Sequence, residues 1–179
     1  MSDPVAPPWR LALRNLRTRP HPASAPAVDQ AAVRDLATRL EAAGMARLGG
    51  RGLFLHVLDG GDCGGCALEL RMLDSVVHDL ARFGLRFVDS PRQADVLLVT
   101  GPITHALRVA LQQAWEAAPE PRLVVAIGDC AIDGGVFKGS YAVAGGVATT
   151  LPLDLVIRGC PPTPADVMEG LLMLLQAGR

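Results

Sequence analysis

Three short runs along the chain are apolar at almost every position: 53–58 (LFLHVL), 96–100 (VLLVT) and 123–127 (LVVAI). Continuous Leu- and Val-rich runs of this length mark strands buried on both faces, as in a parallel sheet. Two shorter runs, 85–88 and 155–157, extend the set to five strands. Between the strands, polarity follows a helical period. Leu70, Leu73, Val77 and Leu80 fall on one face of 67–83, which predicts a helix over that stretch. A second helix is predicted over 104–117, closed by Pro119 and Pro121, and a last one from Pro164 to about Gln176.

Strands alternating with helices predict an α/β fold: a flavodoxin-like, doubly wound parallel sheet of about five strands. This domain is expected over 51–179. Residues 1–50 read as a separate helical extension with a Pro-rich linker. Over 9–19, Trp9, Leu13 and Leu16 recur at i, i+4 and i+7, and Arg10, Arg14 and Arg17 form an adjacent stripe, so an N-terminal amphipathic helix is expected. Pro20, Pro22 and Pro26 then supply the linker. A second helix is predicted from Asp29 as N-cap to about Met45, ended by Gly49-Gly50.

Composition narrows the function. Half of the 179 residues are hydrophobic but only 4% are aromatic, so the core is aliphatic. A net charge of −1 offers no electrostatic footprint for nucleic acid. No apolar run approaches the ~20 residues of a membrane span. The N-terminus shows neither a secretory signal nor two adjacent arginines, so a cytoplasmic location is expected. Four cysteines in a reducing compartment point to a metal or redox site rather than to disulfides.

Their positions sharpen the point. Sites in open parallel α/β sheets form outside the carboxyl ends of the strands. Cys63 and Cys66 follow the first strand. Cys130, in Gly128-Asp-Cys130, follows the fourth, and Cys160, in Gly159-Cys-Pro-Pro162, follows the fifth. All four thiols are therefore expected on one rim. Four thiolates are the usual ligation of a 4Fe–4S cluster. Gly64, Gly65 and Gly128 allow close backbone approach, and Pro161 turns the chain away after the ligand. Three other readings compete. A structural four-cysteine zinc site normally uses two CxxC knuckles, and here there is one. A thioredoxin-like CxxC leaves Cys130 and Cys160 without a role. Buried free cysteines are the third. One cluster on Cys63, Cys66, Cys130 and Cys160 accounts for the whole set.

Other signals are weaker. The Asp59-Gly-Gly-Asp-Cys-Gly-Gly run does not match G-x-G-x-x-G, and Phe137-Lys-Gly-Ser is not a P-loop. His56 reads as a core histidine and His78 as one on a solvated helix face. His105, near the rim of the third strand, is a candidate for handling protons. Glu69, one turn after Cys66, is either an ordinary helix acid or a functional one beside the site. The glycine-rich loop 133–146 has too little side chain to pack itself, and its Phe137 and Tyr141 are expected to anchor an interface.

From Gly61 onward the chain resembles the 20 kDa iron–sulfur subunit of respiratory complex I and the small subunits of membrane-bound NiFe hydrogenases. The likeness is carried by Gly61-Asp-Cys-Gly-Gly-Cys-Ala-Leu-Glu69, Thr100-Gly-Pro102, Gly128-Asp-Cys130, the run from Asp133 to Tyr141, and Gly159-Cys-Pro-Pro162. The resemblance implies one 4Fe–4S cluster on the four cysteines, set beside the active site of a large catalytic subunit. It makes Glu69 a candidate proton-pathway acid. It also implies a ferredoxin-like iron–sulfur subunit as electron donor, membrane-arm subunits met by the N-terminal helix, and a peripheral position on the cytoplasmic side of the membrane. No turnover is expected from the chain alone. Complex I members usually carry two adjacent cysteines at the first position. Cys-Gly-Gly-Cys is similar instead to the hydrogenase branch, of formate-hydrogenlyase or hydrogenase-4 type. The alternatives are a complex I-like donor of electrons to quinone and, from another class, a zinc-stabilised interaction protein.

Overall fold

Among the described residues, seven strands, β1 (Leu53–Asp59), β2 (Leu85–Phe87), β3 (Val96–Thr100), β4 (Ile103–Thr104), β5 (Leu123–Ile127), β6 (Val143–Gly145) and β7 (Leu155–Ile157), are interspersed with four helices. The helices are α1 (Gly65–Leu73), α2 (Arg108–Ala117), α3 (Asp129–Asp133) and α4 (Pro164–Ala177). The structure is a computed structural model and describes residues 52–177. The helices and linker expected within 1–50 lie outside the described residues.

Five strands form one parallel sheet in the order β2-β1-β3-β5-β7. Counting these five alone, the order is 2-1-3-4-5, that of the flavodoxin-like fold, with its switch point between β1 and β3. Every residue of β3 is buried, as expected for the middle strand of a covered sheet. Alternate side chains along the strands feed two cores. Leu55, Leu98 and Ile127 pack with Leu70, Leu73, Met168 and Leu171, which places α1 and α4 on one face. Leu97, Val99 and Val124 pack with Leu111, Ala131 and Val147 on the other.

Strands β3, β5 and β7 have their expected bounds; β1 is one residue longer and β2 one shorter. Two helices differ from expectation. The helix over 67–83 stops at Leu73, and a single 3-10 turn occupies Leu80–Phe83. The cause is local. Beyond Asp74, the Ser75 hydroxyl donates to the Met72 carbonyl at 2.6 Å, and Asp79 adopts a left-handed φ of 41°. Short polar side chains compete for backbone groups in this way, and β-branched Val76 and Val77 add little helix preference. Val77, expected in the core, is 63% exposed. His78, expected on a solvated face, is buried, its Nδ1 3.1 Å from the Met72 carbonyl.

The helix over 104–117 begins at Arg108 instead. Ile103 and Thr104 form β4, antiparallel to β6, so the glycine-rich loop contributes a strand of its own. Thr104 is held there because both its amide and its hydroxyl donate to the Gly60 carbonyl, at 2.9 and 3.0 Å. Among the described residues, no helix is long and apolar enough to cross a membrane.

Candidate metal centre

The loop after β1 is shaped by two carboxylates. Asp59 Oδ1 accepts from the amides of Gly61 and Asp62, at 2.7 and 2.8 Å. Asp62 Oδ1 accepts from the Gly64 amide at 2.8 Å. Such side-chain turns are what short Asp side chains favour. They deliver Gly64, in a left-handed conformation, as the N-cap of α1. No side chain caps this helix, so its first-turn amides are left for another acceptor. Cys63 stands exposed just before the helix, and Cys66 is buried in its first turn.

The other two cysteines sit in loops bound to each other. After β5, the Gly128 amide donates to the Ile157 carbonyl (2.8 Å) and the Asp129 amide to the Gly159 carbonyl (2.9 Å). Asp129 Oδ1 accepts in return from the Gly159 amide at 3.2 Å. Cys130 is buried at the start of α3, while Cys160 is exposed beyond β7.

Glycine brings these loops together. A methyl group on Gly128 would lie 2.7 Å from the Cys66 sulfur, and one on Gly135 would lie 2.8 Å from that of Cys130. Gly65 borders both the Cys63 sulfur and the Pro161 ring, at 3.7 and 3.9 Å from its would-be Cβ. The expected cradle therefore includes Gly135, whereas a Cβ on Gly64 would meet nothing within 4 Å.

The thiols also share one electrostatic environment. Burial pushes the Cys66 thiol up to about 11, and the charges of Asp62, Cys130, Cys63 and Cys160 act in the same direction. Burial raises Cys130 as well; the Val136 backbone N–H opposes it, while Cys160 and Cys63 add to it. Each buried thiol thus feels the other three cysteines or two of them. Among the described residues, no group of three or more His, Cys, Asp or Glu side chains gathers closely enough to hold a single metal ion.

The four-thiol set and its glycine cradle fit a sulfur-ligated cluster. Glu69 lies half-buried on α1, one turn beyond Cys66. His105 is exposed, with its backbone amide on the Ala142 carbonyl. His56 is half-buried with Nδ1 2.7 Å from the Val88 carbonyl, a satisfied strand histidine. Phe137 and Tyr141 are exposed in the segment that follows Cys130. The turn-forming Asp59 and Asp62 had no role in the sequence reading, although their spacing among glycines is the available signal. Thr100, named there only within Thr100-Gly-Pro102, is the one polar residue in an otherwise apolar strand.

A parallel 2-1-3-4-5 sheet with cysteines at the carboxyl ends of three strands defines a flavodoxin-like domain with a four-thiol rim. The chain belongs to the family described as NADH ubiquinone oxidoreductase, 20 Kd subunit, whose model matches residues 63–174 and so takes in all four cysteines. This is a family of oxidoreductase subunits. The chain is 42% identical over 125 residues to formate hydrogenlyase subunit 7 of Escherichia coli, a match covering 70% of this chain and 49% of that protein. It is 44% identical over 109 residues to the B subunit of the NADH-quinone oxidoreductase of Citrifermentans bemidjiense, covering 61% and 64%. The chain thus spans about half the length of the first relative and just under two thirds of the second. A solved chain of the membrane-bound sulfane sulfur reductase, an archaeal respiratory membrane complex, is similar with a TM-score of 0.64 and 33% identity, covering 76% of this chain and 74% of that one.

Proposed function

We propose that the chain is the electron-transfer small subunit of a membrane-associated oxidoreductase of formate hydrogenlyase type, holding one 4Fe–4S cluster on Cys63, Cys66, Cys130 and Cys160. The observation that supports this reading is that the four cysteines follow three strand ends on one rim, where Gly128 and Gly135 crowd the Cys66 and Cys130 sulfurs and the buried thiols feel the charges of the other cysteines. A bound cluster would supply one-electron transfer between a ferredoxin-like iron–sulfur subunit and the active site of a large catalytic subunit. The chain's own residues do the rest. Buried Cys66 and Cys130 anchor the site to the sheet, and exposed Cys63 and Cys160 set its open side. The uncapped first turn of α1 and the Val136 N–H offer backbone donors to sulfur. Glu69, next along α1, is the acid placed to serve a proton pathway near the partner's active site.

Cys-Gly-Gly-Cys spacing and the likeness to formate hydrogenlyase subunit 7 favour the hydrogenase branch. The likeness to the B subunit of NADH-quinone oxidoreductase supports a second reading, in which the large partner reduces quinone. The partner's sequence separates them: two CxxC pairs mark a nickel site, and their absence marks quinone or another acceptor. In this proposal residues 51–179 form the cluster domain and 1–50 an extension whose basic helix docks on membrane-arm subunits at the cytoplasmic side.

The test is metal and sulfide analysis of the full chain separated anaerobically from its native complex. About four iron and four acid-labile sulfide per chain, with the EPR signal of a reduced cluster, are expected. Stoichiometric zinc in their place would favour the interaction-protein alternative and overturn the cluster.

A further inference from the structure

Among the described residues, two buried side-chain polar atoms have no hydrogen-bond partner, Asp62 Oδ2 and Thr100 Oγ1. One is an acceptor and the other a donor. Buried polar atoms are normally satisfied, so a complementary orphan pair in one region asks for a reason.

Both lie at the switch point of the sheet. Thr100 ends β3, in register with Asp59 of β1 on one side and Ile127 of β5 on the other. It follows Val96 and Leu98 at alternate positions, so its side chain belongs to the face that buries Cys66. The next residue, Gly101, has a φ of +73°, and a methyl group there would lie 2.5 Å from the Asp62 backbone. Asp62 therefore rests directly on the end of β3. Across the sheet, Gly128 follows Ile127 and abuts the Cys66 sulfur. Thr100 thus stands between the strand end that carries Asp62 and the one that touches Cys66. Asp62 spends Oδ1 on the Gly64 amide, and its charge is close enough to act on the Cys66 thiol.

We propose that Thr100 is a positioning residue of the cluster site, its hydroxyl donating to Asp62 Oδ2 when Cys66 is held as a ligand. The inference rests on the cluster reading given above. Ligand thiolates add negative charge beside a half-buried carboxylate whose Oδ2 is shielded from water, where low polarity magnifies any uncompensated charge. A hydroxyl donor offsets part of that charge without adding any of its own. Hydrogen bonds and net charge around the sulfurs help to set a cluster's reduction potential. The competing account makes Thr100 a space-filling residue at the strand end, for which valine of the same shape would serve.

The experiment is a redox titration followed by EPR, on the full chain purified in its native complex. Thr100→Val should lower the midpoint potential, because the uncompensated carboxylate opposes the added electron, and Thr100→Ser should restore it. Iron loss to a chelator should quicken about tenfold or more in the valine variant, as other outer-shell losses do. Asp62→Asn, which keeps the Oδ1 acceptor, should raise the potential and abolish the further effect of Thr100→Val. Should valine prevent cluster retention, Thr100→Ala and Thr100→Ser give the same comparison. Equal potentials and g-values in wild type and Thr100→Val, with iron and sulfide present in both, overturn the role of Thr100 alone. The same downward shift in the Asp62→Asn background also overturns it, since the acceptor would then be another group. Wild-type chain that carries no iron and sulfide once separated anaerobically from its partners overturns the cluster reading and this inference together.

Discussion

Gly128, after β5, and Cys66, in the first turn of α1, come from distant parts of the chain, yet only a hydrogen atom fits between them: a methyl group on Gly128 would lie 2.7 Å from the Cys66 sulfur. Gly128 also has a φ of 87°, which side-chain-bearing residues rarely adopt. Gly128→Ala should cost about 1–3 kcal/mol in backbone strain and should displace Cys66 besides. Gly64 is the control, with a φ of 86° and nothing within 4 Å of its would-be Cβ. Gly64→Ala should cost about 1–2 kcal/mol and keep the cluster. Iron per chain, beside thermal unfolding, separates the two: equal iron in both variants would show that Gly128 contributes conformation only.

Cys130 and Cys160 are the proposed ligands least obvious from the sequence, and their loops are tied by the Asp129–Gly159 hydrogen bonds. Alanine at either position removes a thiolate and leaves those backbone bonds in place. Electron transfer and the native cluster signal should be lost while circular dichroism stays near wild type. An unchanged EPR spectrum in either variant removes that residue from the ligand set.

In the cluster-free chain, burial holds the Cys66 thiol up at about 11 against an ordinary value of 9.0. The folded state then keeps a proton that the unfolded chain gives up sooner. Stability from this source is full below pH 9 and is lost as pH rises toward 11. Urea melts of the cluster-free chain should show midpoints falling across that window. Cys66→Ala should lessen the fall; an equal fall in both would assign it to other groups.

Tyr141 is 97% exposed and Phe137 41% exposed in the segment that follows Cys130. Exposed aromatics beside a buried site are apt anchors for a partner. Replacing both with Ala should weaken binding to the large catalytic partner about tenfold or more and leave the cluster in place. Deleting residues 1–19 should instead release the soluble subunits from the membrane arm. Pull-downs with the large partner and with membrane-arm subunits distinguish the two surfaces, and normal yields of both would refute both assignments.

The sheet was legible because burial on both faces demands unbroken apolar runs, and β3, β5 and β7 keep the bounds those runs have. The cysteine rim was legible because strand direction alone decides which loops share an end of a parallel sheet. The end of α1 was hidden. Leu80 continues the helical period of Leu70 and Leu73, but it reaches the core through a 3-10 turn after Asp74 and Ser75 have stopped the helix. Strand β4 was hidden for another reason, since two residues carry no periodicity and their partner lies some forty positions away. His78 changed from solvated to buried because the chain that was to display it turns inward. Asp62 and Thr100 stood in the quoted motifs without a role, because a missing hydrogen bond is a property of three-dimensional neighbours.

Two of the four thiols, Cys66 and Cys130, are sunk into the domain, and two, Cys63 and Cys160, face outward. Under the proposed cluster reading, that arrangement leaves the outer side of the site open to solvent once the domain has folded. A preformed cluster would then have a way in without unfolding the sheet, and a partner seated over Cys63 and Cys160 would close it.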